Sequence, residues 1–156
     1  MSASEYRTTS RSVMPGVPAT GQTRRLVLDG VTGVPGRCRD QARTALEDWG
    51  WLPTADPDQR ARADDVLLIV SELATNACRH AGGPDQLVLS ATALTLRIEV
   101  LDRSDAPPRP QVPHVPTRIG GHGLHTVALL ASRWGHLPRA DRPGKAVWAE
   151  IDLPRS

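Results

Sequence analysis

The chain predicts an α/β fold, a two-layer sandwich in which a mixed sheet carries its helices on one face. Three observations point there. Two long segments repeat apolar residues at three- and four-residue steps. Five short segments read as strands, one of them alternating cleanly between apolar and polar residues. The order along the chain is strand, helix, helix, two strands, loop, helix, two strands, with no internal repeat.

Residues 1–23 are rich in Ser, Thr, Gly and Pro and lack hydrophobic periodicity, so they read as a flexible, solvated tail with Arg7 and Arg11 as its cations. From Arg24 the pattern changes, and Arg-Arg-Leu-Val-Leu-Asp-Gly reads as a short strand ending in a turn. The stretch 34–52 is expected to be a helix, with Pro35 in its first turn and Pro53 just beyond its end. Cys38, Ala42, Ala45, Leu46 and Trp49 give it one buried stripe. A second helix is expected over 57–81, capped by Asp56 and stopped by Gly82-Gly83-Pro84. Strands are expected at 86–91 and 94–101, the second with one core face and one wetter face. Five prolines between Pro107 and Pro116 forbid helix and central strand, so 105–120 reads as a long loop of the kind that forms lids. A helix at 124–133 and strands at 134–139 and 146–153, around a turn at Arg142-Pro143-Gly144, complete the chain.

Composition narrows the function classes. Hydrophobic residues make up 39% of the 156, enough for a core, and the net charge of +2 is too small to argue for nucleic acid. No apolar run approaches the roughly 20 residues of a membrane span, and no apolar signal core opens the chain, so a cytoplasmic location is expected. Four Trp, one Tyr and no Phe leave little for base stacking. Cys38 and Cys78 make neither a disulfide framework nor a zinc site, and both read as small packing residues. The cations are 18 Arg and a single Lys, Lys145, a bias that reads as compositional.

Three short segments carry chemistry. On the second helix, Val66, Val70, Leu73, Ala74 and Ala77 form the apolar stripe, and Glu72, Asn76, Arg79 and His80 share another face. Leu68 and Ile69 flank that face one turn earlier, which suits a pocket wall as well as a solvated surface. A Glu can act as general base, and an Asn carbonyl is a hard oxygen ligand for Mg²⁺. Asp102 ends a strand beside the long loop, placed either to accept a hydrogen bond from a ligand amine or to form a turn. Gly120-Gly121-His122-Gly123-Leu124 precedes a helix, where glycines admit close backbone approach and free N–H groups favour an anion, or where they serve as a hinge.

These segments resemble the N box and the two glycine boxes of the ATPase superfamily that includes gyrase, a heat-shock chaperone and histidine kinases. The closest likeness is to the small bacterial anti-sigma-factor serine/threonine kinases and their actinobacterial relatives, carried by Ser-Glu-Leu-Ala-Thr-Asn-Ala-Cys-Arg-His-Ala, by Ser132-Arg-Trp-Gly135 and by Gly144-Lys-Ala-Val-Trp148. The resemblance covers about 24–153 and implies a Bergerat-type ATP-binding domain over 24–156. It implies that Asn76 ligates Mg²⁺ on the ATP phosphates and that Glu72 is the base activating a serine or threonine hydroxyl on a partner. It also implies that Asp102 holds the adenine amine, with Ser104, Ala106 and Ala146 beside it. Gly121, Gly123 and Leu124 would cradle phosphates, with Arg79 and His80 contributing. ATP and Mg²⁺ are the implied cofactors; a sigma factor and an antagonist (anti-anti-sigma) protein are the implied partners, and a homodimer the implied assembly. Neither nucleic acid nor membrane is expected as a direct partner.

The chain departs from the family pattern in having Ser104 and Ala106 where glycine is usual, His122 between glycines, and Ala146 where a Thr commonly precedes Val-Trp. Loss of that hydroxyl is expected to weaken nucleotide affinity. Three readings therefore stand at this stage: a protein kinase, a non-catalytic ATP-binding regulatory module, and an interaction domain that has lost its nucleotide.

Overall fold

The computed structural model describes residues 21–80, 82–104, 106 and 123–153. Residues 1–20 of the expected tail and most of the proline-rich loop lie outside them, whereas Gln22 and Thr23, expected in the tail, pair with Ala91 and Ser90 as the start of the first strand. The elements are β1 (Gln22–Val27), α1 (Val34–Asp48), α2 (Pro57–His80), β2 (Pro84–Ala91), β3 (Thr95–Asp102), α3 (Gly123–Leu130), β4 (Arg133–Pro138) and β5 (Lys145–Asp152). The two-layer α/β architecture is the expected one.

The sheet order is β1-β2-β3-β5-β4, and every pairing is antiparallel. The expected mixed sheet is corrected on that point, for a topological reason. Two helices separate β1 from β2, and an antiparallel helix pair returns the chain to the edge it left. One helix separates β3 from β4, which do run the same way, but the β4–β5 hairpin inserts β5 between them.

Helix α1 ends at Asp48 rather than near Leu52. Gly50 takes the left-handed conformation that glycine tolerates (φ 80°), and Trp51 N donates to Leu46 O at 2.8 Å. The chain therefore turns before it reaches Pro53. Helix α2 starts where expected: Asp56 Oδ1 accepts from Asp58 N at 3.0 Å, satisfying a free amide of the first turn. It ends with Gly83 N donating to Ala77 O at 3.0 Å across a left-handed Gly82. Helix α3 is shorter than expected, because Arg133 already belongs to β4 and pairs with Glu150.

Alternation on β2, β3 and β5 sends Leu87, Leu89, Ile98, Val100, Val147 and Ala149 to one face. The helices cover that face, and α2 is their spine, touching α1, α3 and three strands. The expected stripes on α1 and α2 are all buried. The other sheet face carries an ionic ladder in which Arg97 bonds Glu99 and Glu150, and Arg133 bonds Glu150 and Asp152. Arg97 also lies 4.4 Å from the Trp148 ring centroid.

Cys38 is fully buried, and burial pushes its thiol up to about 11, with Cys78 adding a smaller push. As pH rises past the ordinary value of 9.0, the unfolded chain ionises first. Stability is thus intact below that value and falls as pH climbs toward 11, by up to about 2 kcal/mol. Denaturant unfolding across that range is expected to show this decline in the wild type and to lose that component in Cys38→Ala. Identical profiles would refute it.

Candidate functional site

Glu72 and Asn76 lie one turn apart in the body of α2, and both are half-buried; Oε1 of Glu72 is shielded from solvent. Ile69, one turn before Glu72, is fully buried, whereas Leu68 is exposed. The apolar flank of the polar face is therefore supplied by Ile69 alone of that pair. Arg79 is exposed on the last turn, and His80 is the last helical residue.

The end of α2 comes to the same end of the sheet as the C-terminus of β3. After α2 the chain turns at Gly82-Gly83 into β2, whose first residue, Pro84, is the register partner of Asp102. Asp102 is 1% exposed and sits on the sheet face that the helices cover. Its Oδ1 accepts from Ser104 N at 2.8 Å and from Lys145 Nζ at 3.2 Å. Oδ2 is buried 3.1 Å from Lys145 Nζ yet accepts no hydrogen bond. One lone-pair direction of a buried carboxylate thus stays open to a donor. Ser104 Oγ in turn accepts from Ala106 N at 3.2 Å, so two consecutive side-chain-to-backbone turns carry the chain away from the strand.

Lys145, not Ala146, faces Asp102. The two are direct register partners on adjacent strands, and Lys145 is 6% exposed. Ala146 pairs with Leu101 and lines a hollow of about 380 Å³ on the opposite sheet face, with Arg97, Glu99 and Leu137. The structure therefore separates Ala146 from the other expected site residues, and a threonine hydroxyl there would not point at Asp102. Lys145 has no sequence signal, because a lone lysine among arginines makes no pattern.

Two further residues that sequence reasoning missed hold this corner. Arg139 is fully enclosed; it donates to Asp85 Oδ2 at 2.6 Å, to both Asp141 carboxylate oxygens at 3.1 Å and to the Asp102 main-chain oxygen at 3.3 Å. Asp85, also buried, receives Arg103 Nε at 3.0 Å. Gly144 packs its backbone directly over the Asp102 carbonyl with φ 132°, leaving no room for a Cβ. No local signal joins Asp85 to Arg139, which are 54 residues apart.

Gly123 opens α3, and Leu124 beside it is 3% exposed within the core, a packing position behind the helix start. Gly121, His122 and the expected lid lie outside the described residues. Among the described residues no three His, Cys, Asp or Glu side chains converge as a metal cluster. A cleft of about 430 Å³ lies on the α1 side of α2, lined by Asp29, Gly33, Cys78, Gly83, Asp85 and Arg103 among others. No described helix is long and apolar enough to cross a membrane.

No curated protein matches the chain. The family model of the histidine kinase-like ATPase domain matches residues 35–151, from the first turn of α1 to the end of β5. That span holds Glu72 and Asn76 on one helix and the buried Asp102 at the neighbouring strand end, and with it the chain belongs to the histidine kinase-like ATPase family of ATP-binding domains.

Proposed function

We propose that this chain is an ATP-dependent protein serine/threonine kinase of the anti-sigma-factor type, one that phosphorylates a small antagonist protein and sequesters a sigma factor. The observation that carries the reading is Glu72 and Asn76, half-buried one turn apart on α2, whose C-terminal turn leads into the strand that pairs with Asp102. An amide that is part-shielded and a buried carboxylate oxygen that accepts no hydrogen bond suit a phosphate-bound cation and a purine amine respectively.

In this role Asn76 would hold Mg²⁺ together with phosphate oxygens and water, and the ion when bound neutralises phosphate charge. Asp102 accepts the adenine amine. Arg79 and His80 on the last turn of α2, with Gly121 and with Gly123 at the start of α3, bind the phosphates. Glu72 takes the proton of a serine or threonine hydroxyl on the antagonist as that oxygen bonds to the γ-phosphorus. The bond from that phosphorus to the β–γ bridging oxygen breaks, and ADP leaves. Action in the cytoplasm as a homodimer completes the proposal.

Calorimetric titration with ATP, with and without Mg²⁺, tests it. The wild type is expected to bind in the micromolar range only with Mg²⁺, and Asn76→Ala to weaken that binding by about tenfold or more. Unchanged affinity in the variant would remove Asn76 as the ligand. No binding by the wild type at millimolar ATP would leave an interaction domain in place of a nucleotide-dependent kinase.

A further inference from the structure

We propose that Lys145 reads the adenine ring, donating from Nζ to ring nitrogen N1 while Asp102 accepts from the exocyclic amine, so that the buried Asp102–Lys145 pair sets base selectivity. The inference rests on the reading of Asp102 as the base-binding carboxylate.

Four observations carry it. Lys145 is the only lysine in a chain with 18 arginines, and it is buried at this one place. Its ammonium has three protons, of which the Asp102 carboxylate and the Ser104 main-chain oxygen, at 3.5 Å, account for two; a third stays available to an acceptor. Asp102 Oδ1 is engaged by two donors, whereas Oδ2 accepts no hydrogen bond. Both side chains stand on the face covered by the helices, as direct cross-strand neighbours. An acceptor and a donor therefore stand side by side, complementary to the amine-and-ring-nitrogen edge of adenine.

The choice of lysine fits this use. An arginine at 145 would present a planar fork that satisfies both oxygens of Asp102 at once and closes the open one. The compact Lys145 ammonium lies 3.2 Å from Oδ1 and 3.1 Å from Oδ2 yet hydrogen-bonds only Oδ1, which leaves it a proton for a ligand. In the pose that meets adenine, guanine sets its carbonyl oxygen against the Asp102 carboxylate and its ring N–H against the ammonium, a mismatch at both atoms. The competing roles that the test has to exclude are a purely structural brace and an obstruction that occupies the carboxylate.

Titration of ATP, 1-deaza-ATP (in which N1 is replaced by C–H) and GTP into the wild type and Lys145→Met separates these. In the wild type, 1-deaza-ATP and GTP are each expected to bind about tenfold more weakly than ATP. In Lys145→Met, ATP is expected to weaken by about the same factor and 1-deaza-ATP to change little, so that the two analogues bind alike. Equal loss of both in the variant would make Lys145 a structural brace, tighter ATP binding would make it an obstruction, and GTP binding as tightly as ATP in the wild type would remove the selectivity; each overturns the proposal. Failure of the wild type to bind any of the three would instead overturn the reading of Asp102 on which it rests. Should Lys145→Met fail to fold by circular dichroism, the wild type labelled with ¹⁵N-lysine decides. Its single side-chain signal is expected to move with ATP and not with 1-deaza-ATP, and equal movement with both would refute the contact.

Discussion

Arg139→Met is expected to lower the unfolding free energy by about 3–5 kcal/mol, measured by urea denaturation at neutral pH. The guanidinium is wholly enclosed and holds Asp85, Asp141 and the main-chain oxygen of Asp102. Methionine replaces its bulk but leaves Asp85 buried with Arg103 as its nearest cation, and Arg103 is itself mostly solvent-exposed. A lone buried carboxylate with a half-solvated partner loses most of its compensation, which is why removing one member of a buried pair costs more than the pair contributes. Arg142→Met serves as control. Arg142 stands 3.9 Å from Asp85 and is exposed, so its loss is expected to change stability by less than about 0.5 kcal/mol. If the two variants unfold alike, the enclosed pair is not what secures this corner.

Glu72→Gln is expected to leave ATP affinity within a few-fold and to slow phosphoryl transfer by about a hundredfold to ten-thousandfold. Glutamine keeps the size and the hydrogen-bonding reach of the side chain, so α2 and its half-buried setting persist while the proton acceptor is lost. Transfer from radiolabelled ATP to a serine-bearing antagonist protein reads the rate, calorimetry reads the affinity, and circular dichroism checks the fold. Transfer within tenfold of wild type would take Glu72 out of the chemistry. A parallel collapse of affinity in a folded variant would make it a nucleotide-binding group instead.

Much of the scaffold was legible because its signals are local. The 3.6-residue stripe on α2 and the Gly82-Gly83 stop define that helix without any knowledge of its neighbours, and Asp56 marks its start. The alternation in Thr95–Asp102 likewise announces a strand with one covered face. The expected end of α1 falls too late because Pro53 is the louder signal, whereas Gly50 is the residue that turns the chain.

What was not legible depends on register. Whether Lys145 or Ala146 faces Asp102 turns on a one-residue phase in β5, and a strand's pattern of Ala, Val, Trp and Ala does not state that phase. The Asp85–Arg139 pair joins the start of β2 to the end of the β4 hairpin strand, a meeting created only when β5 slots between β3 and β4. Charges brought together by sheet order leave no spacing for a linear reading to find.

The burial of Lys145 also decides how this protein can be handled chemically. Its outward cations, among them Arg103 and Arg142, are guanidiniums that do not react with succinimidyl esters. Amine-directed cross-linkers and biotinylation reagents therefore find no exposed lysine among the side chains. Among the side chains, capture of a bound partner goes through carboxylates or through the exposed thiol of Cys78, which lines the cleft beside α1. Proteases divide in the same way: a lysine-specific enzyme has one site, hidden by folding, whereas an arginine-specific one has 18.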